Sequence, residues 1–109
     1  MITPIIMELE QDIVADKLAK LRKNKINKVH IDLGDGLLSD LITIAPADLQ
    51  QFNISDMEVD LHLLVDDPME YIEECVALSP RRLIAQIERM GSQTLFLETV
   101  AGYGVAGCL

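Results

Sequence analysis

Apolar runs of strand length alternate with segments of helical period, and the alternation repeats about every 25 residues along the chain. The first run is Ile2 to Met7, and the second is Lys28 to Leu33, which is closed by Gly34-Asp35-Gly36. Three more follow at Met57 to Val65, Arg82 to Ile87 and Val105 to Leu109. Between the first two, Asp12 to Leu21 carries Ile13, Val14, Leu18 and Leu21 at helical spacing, and Lys20, Arg22, Lys23 and Lys25 suit a helix C-terminus. Pro46 opens a short helix from Ala47 to about Phe52, and Pro68, behind Asp66 and Asp67, opens another from Met69 to Ala77. A weaker helix spans Thr94 to Ala101. Parallel strands need a crossover as long as a helix, so this order predicts an α/β fold with a parallel sheet. A closed barrel of eight such units needs about 200 residues. With 109 residues and about 4.5 βα units, the chain has the length of half a (β/α)8 barrel, and nothing in residues 1–109 divides it.

The two histidines each stand one residue from an aspartate, in V-H-I-D-L-G-D-G from Val29 and V-D-L-H-L-L from Val59. Side chains alternate faces along a strand, so His30 pairs with Asp32, and Asp60 with His62. Two such strands side by side converge imidazoles and carboxylates. Inside apolar runs these groups need partners, and a divalent metal is one candidate. The structural alternative is a pair of histidines each satisfied by a neighbouring carboxylate or carbonyl. Asp35 reads as a turn residue bonding its own loop before Gly36, and Asp60 as an orienting or structural residue. Glu73 and Glu74 belong to a solvated helix face, while Met7, Met57, Met69 and Met90 read as core filler. Gln86 and Glu88 share a face of the fourth run and receive no role.

Eighteen acidic against nine basic residues give a formal charge of −9. That charge repels phosphate backbones and anionic bilayers, which argues against nucleic-acid and membrane partners. The opening Met1-Ile2-Thr3-Pro4-Ile5-Ile6 has no basic leader and runs into Glu8, Glu10 and Asp12. No run reaches the roughly 18 apolar residues of a membrane span, so a cytoplasmic protein is expected. Cys75 and Cys108 lie far apart in apolar surroundings and read as buried, reduced thiols.

Taken in order, Pro4, then V-H-I-D-L-G-D-G-L at 29–37 and V-D-L-H-L-L-V-D-D-P-M-E-Y at 59–71 resemble the ribulose-phosphate 3-epimerase family. The corresponding family strands read approximately H-V-D-V-M-D-G and D-V-H-L-M-V-x-x-P-x-x-Y. His30, Asp32, Asp35, Gly36, Asp60, His62, Pro68 and Tyr71 all have counterparts, with weaker echoes at Thr43, Pro46, Ile87-Glu88 and Ala106-Gly107. The resemblance covers essentially the whole chain and implies the N-terminal half of a TIM barrel. It further implies an isomerase that interconverts ribulose 5-phosphate and xylulose 5-phosphate by moving a proton at C3 through an enediolate. A divalent cation stabilises that charge as a Lewis acid.

By this likeness His30, Asp32 and His62 are metal ligands, Asp32 is also the catalytic proton acceptor or donor, and His62 also faces the substrate. The fourth ligand, which doubles as the acid or base on the opposite face, is an aspartate of the seventh strand, beyond Leu109. Two histidines and one aspartate admit zinc, iron, manganese or cobalt. Pentulose and hexulose phosphates are not distinguished by this half.

Departures are Ile5 for the family's serine, Gly34 and Leu64 for methionines, Asp40-Leu41 for P-N, and Gln86 for a histidine. With the phosphate-binding loops of the last strands absent, the isolated half is expected to be inactive on its sugar-phosphate substrate. The alternative is a non-catalytic half-barrel acting as a metal-binding or interaction module. Open sheet edges predict self-association, or pairing with a missing C-terminal half.

Overall fold

Branched and leucine side chains at every second position give each strand one face that must leave water, and the helices supply the cover. In the computed structural model, which describes residues 3–86, 90 and 92–109, five parallel strands lie in one sheet in sequential order. These are β1 (Ile5–Ile6), β2 (Lys28–Gly34), β3 (Glu58–Leu64), β4 (Arg82–Ala85) and β5 (Ala106–Cys108). Helices α1 (Gln11–Lys23), α2 (Pro46–Leu49), α3 (Ile72–Val76) and α4 (Gln93–Gly102) fall between them, and a 3₁₀ turn at Pro68–Tyr71 leads into α3. Sequential strand order with a helix in every crossover is the arrangement of a partial TIM barrel.

Most expected elements are present, with shorter ends. Strand one is reduced to Ile5–Ile6 because it pairs only with β2, and Pro4 has no N–H to extend the ladder. Pro4 still contributes its carbonyl, which accepts from the His30 N–H at 2.9 Å. Ile2, Ile87 and Glu88, assigned above to the first and fourth runs, lie outside the described residues. Pro68 starts its helix as anticipated, but the first turn is 3₁₀ and is capped by Asp67, whose carboxylate accepts from the Met69 N–H at 3.1 Å. Ser92 caps α4 through the Leu95 N–H.

One face of the sheet is dry. Val29, Ile31 and Leu33 of β2 and Val59, Leu61 and Leu63 of β3 are all at most 1% exposed. They pack against Val14 and Leu18 of α1, Leu49 of α2, Ile72 and Cys75 of α3, and Phe96 and Val100 of α4. Burying each leucine or isoleucine of this set is worth about 1.5–3 kcal/mol, which makes the β2–β3 pair the centre of the core. Gly107 belongs to the same face: a Cβ there would stand 3.1 Å from the Leu97 side chain, so α4 lies directly on β5.

Three of the methionines expected as core filler contribute to this cluster, Met57 as a buried member and Met69 and Met90 from its edge. Met7 does not: it lies past the end of β1 and is exposed. Cys75 is a buried free thiol, pushed up to about 12 chiefly by burial and then by Glu74, whereas Cys108, on the edge strand, is free but only half-buried.

The other face of the sheet is polar. Asp60, 4% exposed, accepts from Arg81 Nε at 3.2 Å and Nη2 at 2.9 Å, and from Arg82 Nη2 at 2.7 Å. Burial raises its pKa, but the hydrogen bonds and charges of Arg82 and Arg81 together outweigh burial and hold the carboxyl well below the usual carboxylate range. Because the folded-state value lies below the ordinary 3.8, this stabilisation is complete above that pH and is lost progressively below it, as pH falls to the lower folded-state value. Asp60→Asn should therefore cost about 1–3 kcal/mol at neutral pH and flatten the acid limb of the stability profile. Urea unfolding at pH 7 and pH 3 checks this: an equal loss at both pH values would contradict the assignment.

Candidate functional site

The geometry of the site follows from the pairing of β2 with β3. Their register runs from Lys28↔Glu58 to Gly34↔Leu64, so His30 lies opposite Asp60 and Asp32 opposite His62. All four point to the face that the helices leave free. His30 Nε2 lies 2.7 Å from Asp32 Oδ1, and His62 Nδ1 lies 3.2 Å from the same oxygen. The two imidazoles meet edge to face, with centroids 5.6 Å apart and an interplanar angle of 75°. Asp32 is 8% exposed. One donor atom from each of His30, Asp32 and His62 lies within 4.8 Å of the others, the one such group of three among the described residues.

The sequence pairs each histidine with the aspartate on its own strand, and the structure corrects half of that. Asp32 serves both histidines across the β2–β3 pair. Asp60 serves neither, because Arg81 and Arg82, entering β4 beside it, occupy both its oxygens.

Asp35 is the turn residue anticipated: its Oδ1 accepts from the Leu37 N–H at 3.0 Å. It has a second role that the sequence did not reveal, because its Oδ2 accepts from the Tyr71 hydroxyl at 3.2 Å. Burial, followed by the charge of Asp35, raises the Tyr71 pKa, so the phenol stays a donor and ties the loop after β2 to the turn before α3.

Gln86 enters the site as well, its Nε2 lying 2.8 Å from His62 Nε2. The signal was present in the strand parity of Gln86, but not the distance. Glu88 lies outside the described residues.

Gly34 marks where the loop closes over the site. A Cβ on Gly34 would stand 2.5 Å from the Leu41 carbonyl oxygen and 3.0 Å from Leu41 Cγ. That carbonyl accepts from the Gly36 N–H at 2.9 Å, and Gly36 takes φ +80°, which favours glycine. Thr43, buried, fixes the far end of the loop: its Oγ1 accepts from the Gly34 N–H at 3.0 Å and donates to the Ile44 carbonyl at 2.9 Å. The chain thus fills with its own backbone the space a side chain at position 34 would take.

Polar side chains gathered on the helix-free face of a parallel sheet, toward the C-terminal ends of its strands, define an α/β-barrel type of site. The sequence matches the Ribulose-phosphate 3 epimerase family over residues 1–109, and the chain belongs to that family. It is 26% identical over 106 residues to the ribulose-phosphate 3-epimerase of Chlamydia muridarum, a match covering 96% of this chain and 46% of that protein. The chain therefore spans about half the length of that relative. No helix among the described residues is long and apolar enough to cross a membrane.

Gly34→Met, which restores the family's expected residue, should destabilise this chain by about 1–3 kcal/mol, the usual cost of overpacking. Thermal unfolding of the two forms measures it. A variant as stable as the parent would mean that the loop at Leu41 yields freely.

Proposed function

We propose that residues 1–109 are the first half of an epimerase barrel that acts on a sugar phosphate, with His30, Asp32 and His62 as its metal-binding group and Asp32 as the acid or base on one face of the substrate. The observation that carries the reading is the convergence of both histidines on one oxygen of a nearly buried carboxylate. The donor set suits a divalent cation of the first transition row. His30, Asp32 and His62 would hold such an ion through one donor atom each, and these atoms lie within 4.8 Å of one another. Zinc, iron, manganese and cobalt all accept two imidazoles and a carboxylate.

A cation bound there would supply Lewis-acid stabilisation of the negative charge that develops when a proton leaves a carbon beside a carbonyl. The remaining work falls to this chain's own groups. Both imidazole contacts end on Asp32 Oδ1, which leaves Oδ2 as the oxygen that takes or returns the proton. His30 and His62, locked edge to face, hold that carboxylate in one orientation, and His62 also borders the substrate. The Leu41 loop, fastened by Thr43 and Gly36, packs its backbone against Gly34, two residues beyond Asp32 on the same strand. Inversion at a carbon needs a second acid or base on the opposite face. That group, a further ligand and the phosphate-binding loops would come from the other half of the barrel, so the isolated half is expected to be inactive. A cytoplasmic setting suits this chemistry.

A pairing role is supported by the sheet itself. β1 and β5 each pair on one side only, and Ile5, Met7 and Leu109 at those edges are exposed. Unpaired edges of this kind seek another strand.

The metal reading is tested by titrating the chain with zinc or cobalt beside His30→Ala and His62→Ala. Each variant should lose more than the roughly 10–100-fold that removal of an outer partner costs. Equal affinity in all three proteins would end the metal reading. Sedimentation over a range of concentrations tests the pairing reading: association rising with concentration is expected, and a monomer throughout would contradict it.

A further inference from the structure

We propose that Gln86 is the positioning residue of the metal group, setting which nitrogen of His62 carries its proton and exchanging the two arrangements by turning its amide. The proposal rests on the metal reading above. It does not depend on Asp32 acting in proton transfer.

The argument starts from donor and acceptor chemistry. An amide nitrogen only donates, so Gln86 Nε2, 2.8 Å from His62 Nε2, requires a lone pair on that ring nitrogen. The proton of the neutral imidazole is then on Nδ1, where it faces Asp32 Oδ1 at 3.2 Å. His62 is thereby satisfied at both nitrogens without a metal. The same nitrogen, Nδ1, is the one that lies against Asp32 and hence the one available to an ion shared with it. To ligate through Nδ1, the ring must move its proton to Nε2. Nε2 then needs an acceptor at the place where Gln86 now presents a donor.

Gln86 supplies both from one position, because its amide carries a carbonyl oxygen and an NH₂ group on the same terminal carbon. A half-turn about the last side-chain bond exchanges them with no movement of the backbone. Metal-bound histidines characteristically donate their other N–H to an oxygen acceptor, which fixes the ring and raises its basicity. A histidine, which the family likeness led us to expect here, could accept only by adjusting its own tautomer. Gln86 directly follows β4, the strand that pairs with β3 through His62↔Ile84 and Leu63↔Ala85. Its backbone is thus anchored by the last register pair of β4, one residue before it.

The test compares cobalt binding by the full 109-residue chain, Gln86→Leu and Gln86→Glu, with His62→Ala as reference. Cobalt affinity and the d–d absorption bands are read together with thermal unfolding of each metal-free protein. Gln86→Leu should bind roughly 10–100-fold more weakly at unchanged metal-free stability, and Gln86→Glu, which accepts but cannot donate, should restore the affinity. Equal or tighter binding by Gln86→Leu, with His62→Ala still weakened, would overturn the Gln86 role alone. Loss of any difference between the parent and His62→Ala would instead remove the metal reading, and the Gln86 role with it.

A variant-free arm uses the ¹⁵N-histidine-labelled parent. Long-range ¹H–¹⁵N correlations should place the His62 proton on Nδ1 without metal and on Nε2 in the zinc-loaded chain. Coordination of zinc through Nε2 would refute the proposal even if Gln86→Leu failed to fold.

Discussion

The parallel pairing of β2 with β3 is the constraint from which core and site both follow. Seven residues on each strand pair without a bulge, and on both strands the odd and even positions have opposite tasks. Val29, Ile31, Leu33, Val59, Leu61 and Leu63 turn to the helices and are at most 1% exposed, while His30, Asp32, Asp60 and His62 turn to the free face. A slip of one residue would send an entire set to the wrong side: the leucines to water, the histidines under the helices. The apolar burial that holds the register is therefore also what places His62 Nδ1 within 3.2 Å of Asp32. Core energetics and site geometry are one specification.

The free face is arranged in layers along the strands. The lower layer, at His30↔Asp60 and Asp60↔Arg82, contains a buried carboxylate neutralised by two guanidiniums that reach in from the solvent edge. The next, at Asp32↔His62 and His62↔Ile84, contains a carboxylate shared by two imidazoles. The two aspartates are similarly buried but carry different partners. Guanidinium remains charged across the physiological range, so Asp60 is a fixed strut. Imidazole can release its proton and accept a metal, so the neighbours of Asp32 can be exchanged. The two carboxylates differ in their partners, guanidinium in one layer and imidazole in the next, two residues further along the strands.

Much of this was legible in the sequence. Strand and helix alternation predicted the sheet and its order because crossover length forces parallel pairing. The His-Asp spacing predicted a shared face because side-chain period is fixed at two. What the spacing could not carry was the cross-strand choice. His62 takes Asp32 instead of Asp60 because Arg81 and Arg82, 19 and 20 residues further along, claim Asp60 first. Nor could the sequence explain Gly34. It read there as a missing methionine, and only the approach of the Leu41 carbonyl, seven residues away, shows that the backbone occupies the space. Gln86 was likewise visible as a face-sharing residue whose consequence depended on a register that periodicity does not state. Edge elements were overextended for the opposite reason: β1 and β5 have apolar composition but a neighbour on one side only, and a ladder with one partner ends sooner.

The departures from the family pattern also fall in a physical order. At Gly34, where the family likeness leads one to expect a methionine, the Leu41 backbone fills the side-chain space, and Thr43 and Gly36 secure that loop with hydrogen bonds. At Gln86 an amide stands where the family likeness leads one to expect an imidazole, and it meets His62 Nε2 at 2.8 Å. Ile5 is different in kind: on the edge strand, opposite His30, it puts a 57% exposed apolar side chain where the family likeness leads one to expect a hydroxyl. An isoleucine there offers no side-chain hydrogen bond, but it can be buried against another strand at the open side of β1. Gly34 and Gln86 are thus met by other atoms of the chain, on the strand of Asp32 and at the ring of His62, whereas Ile5 lies exposed on the edge strand.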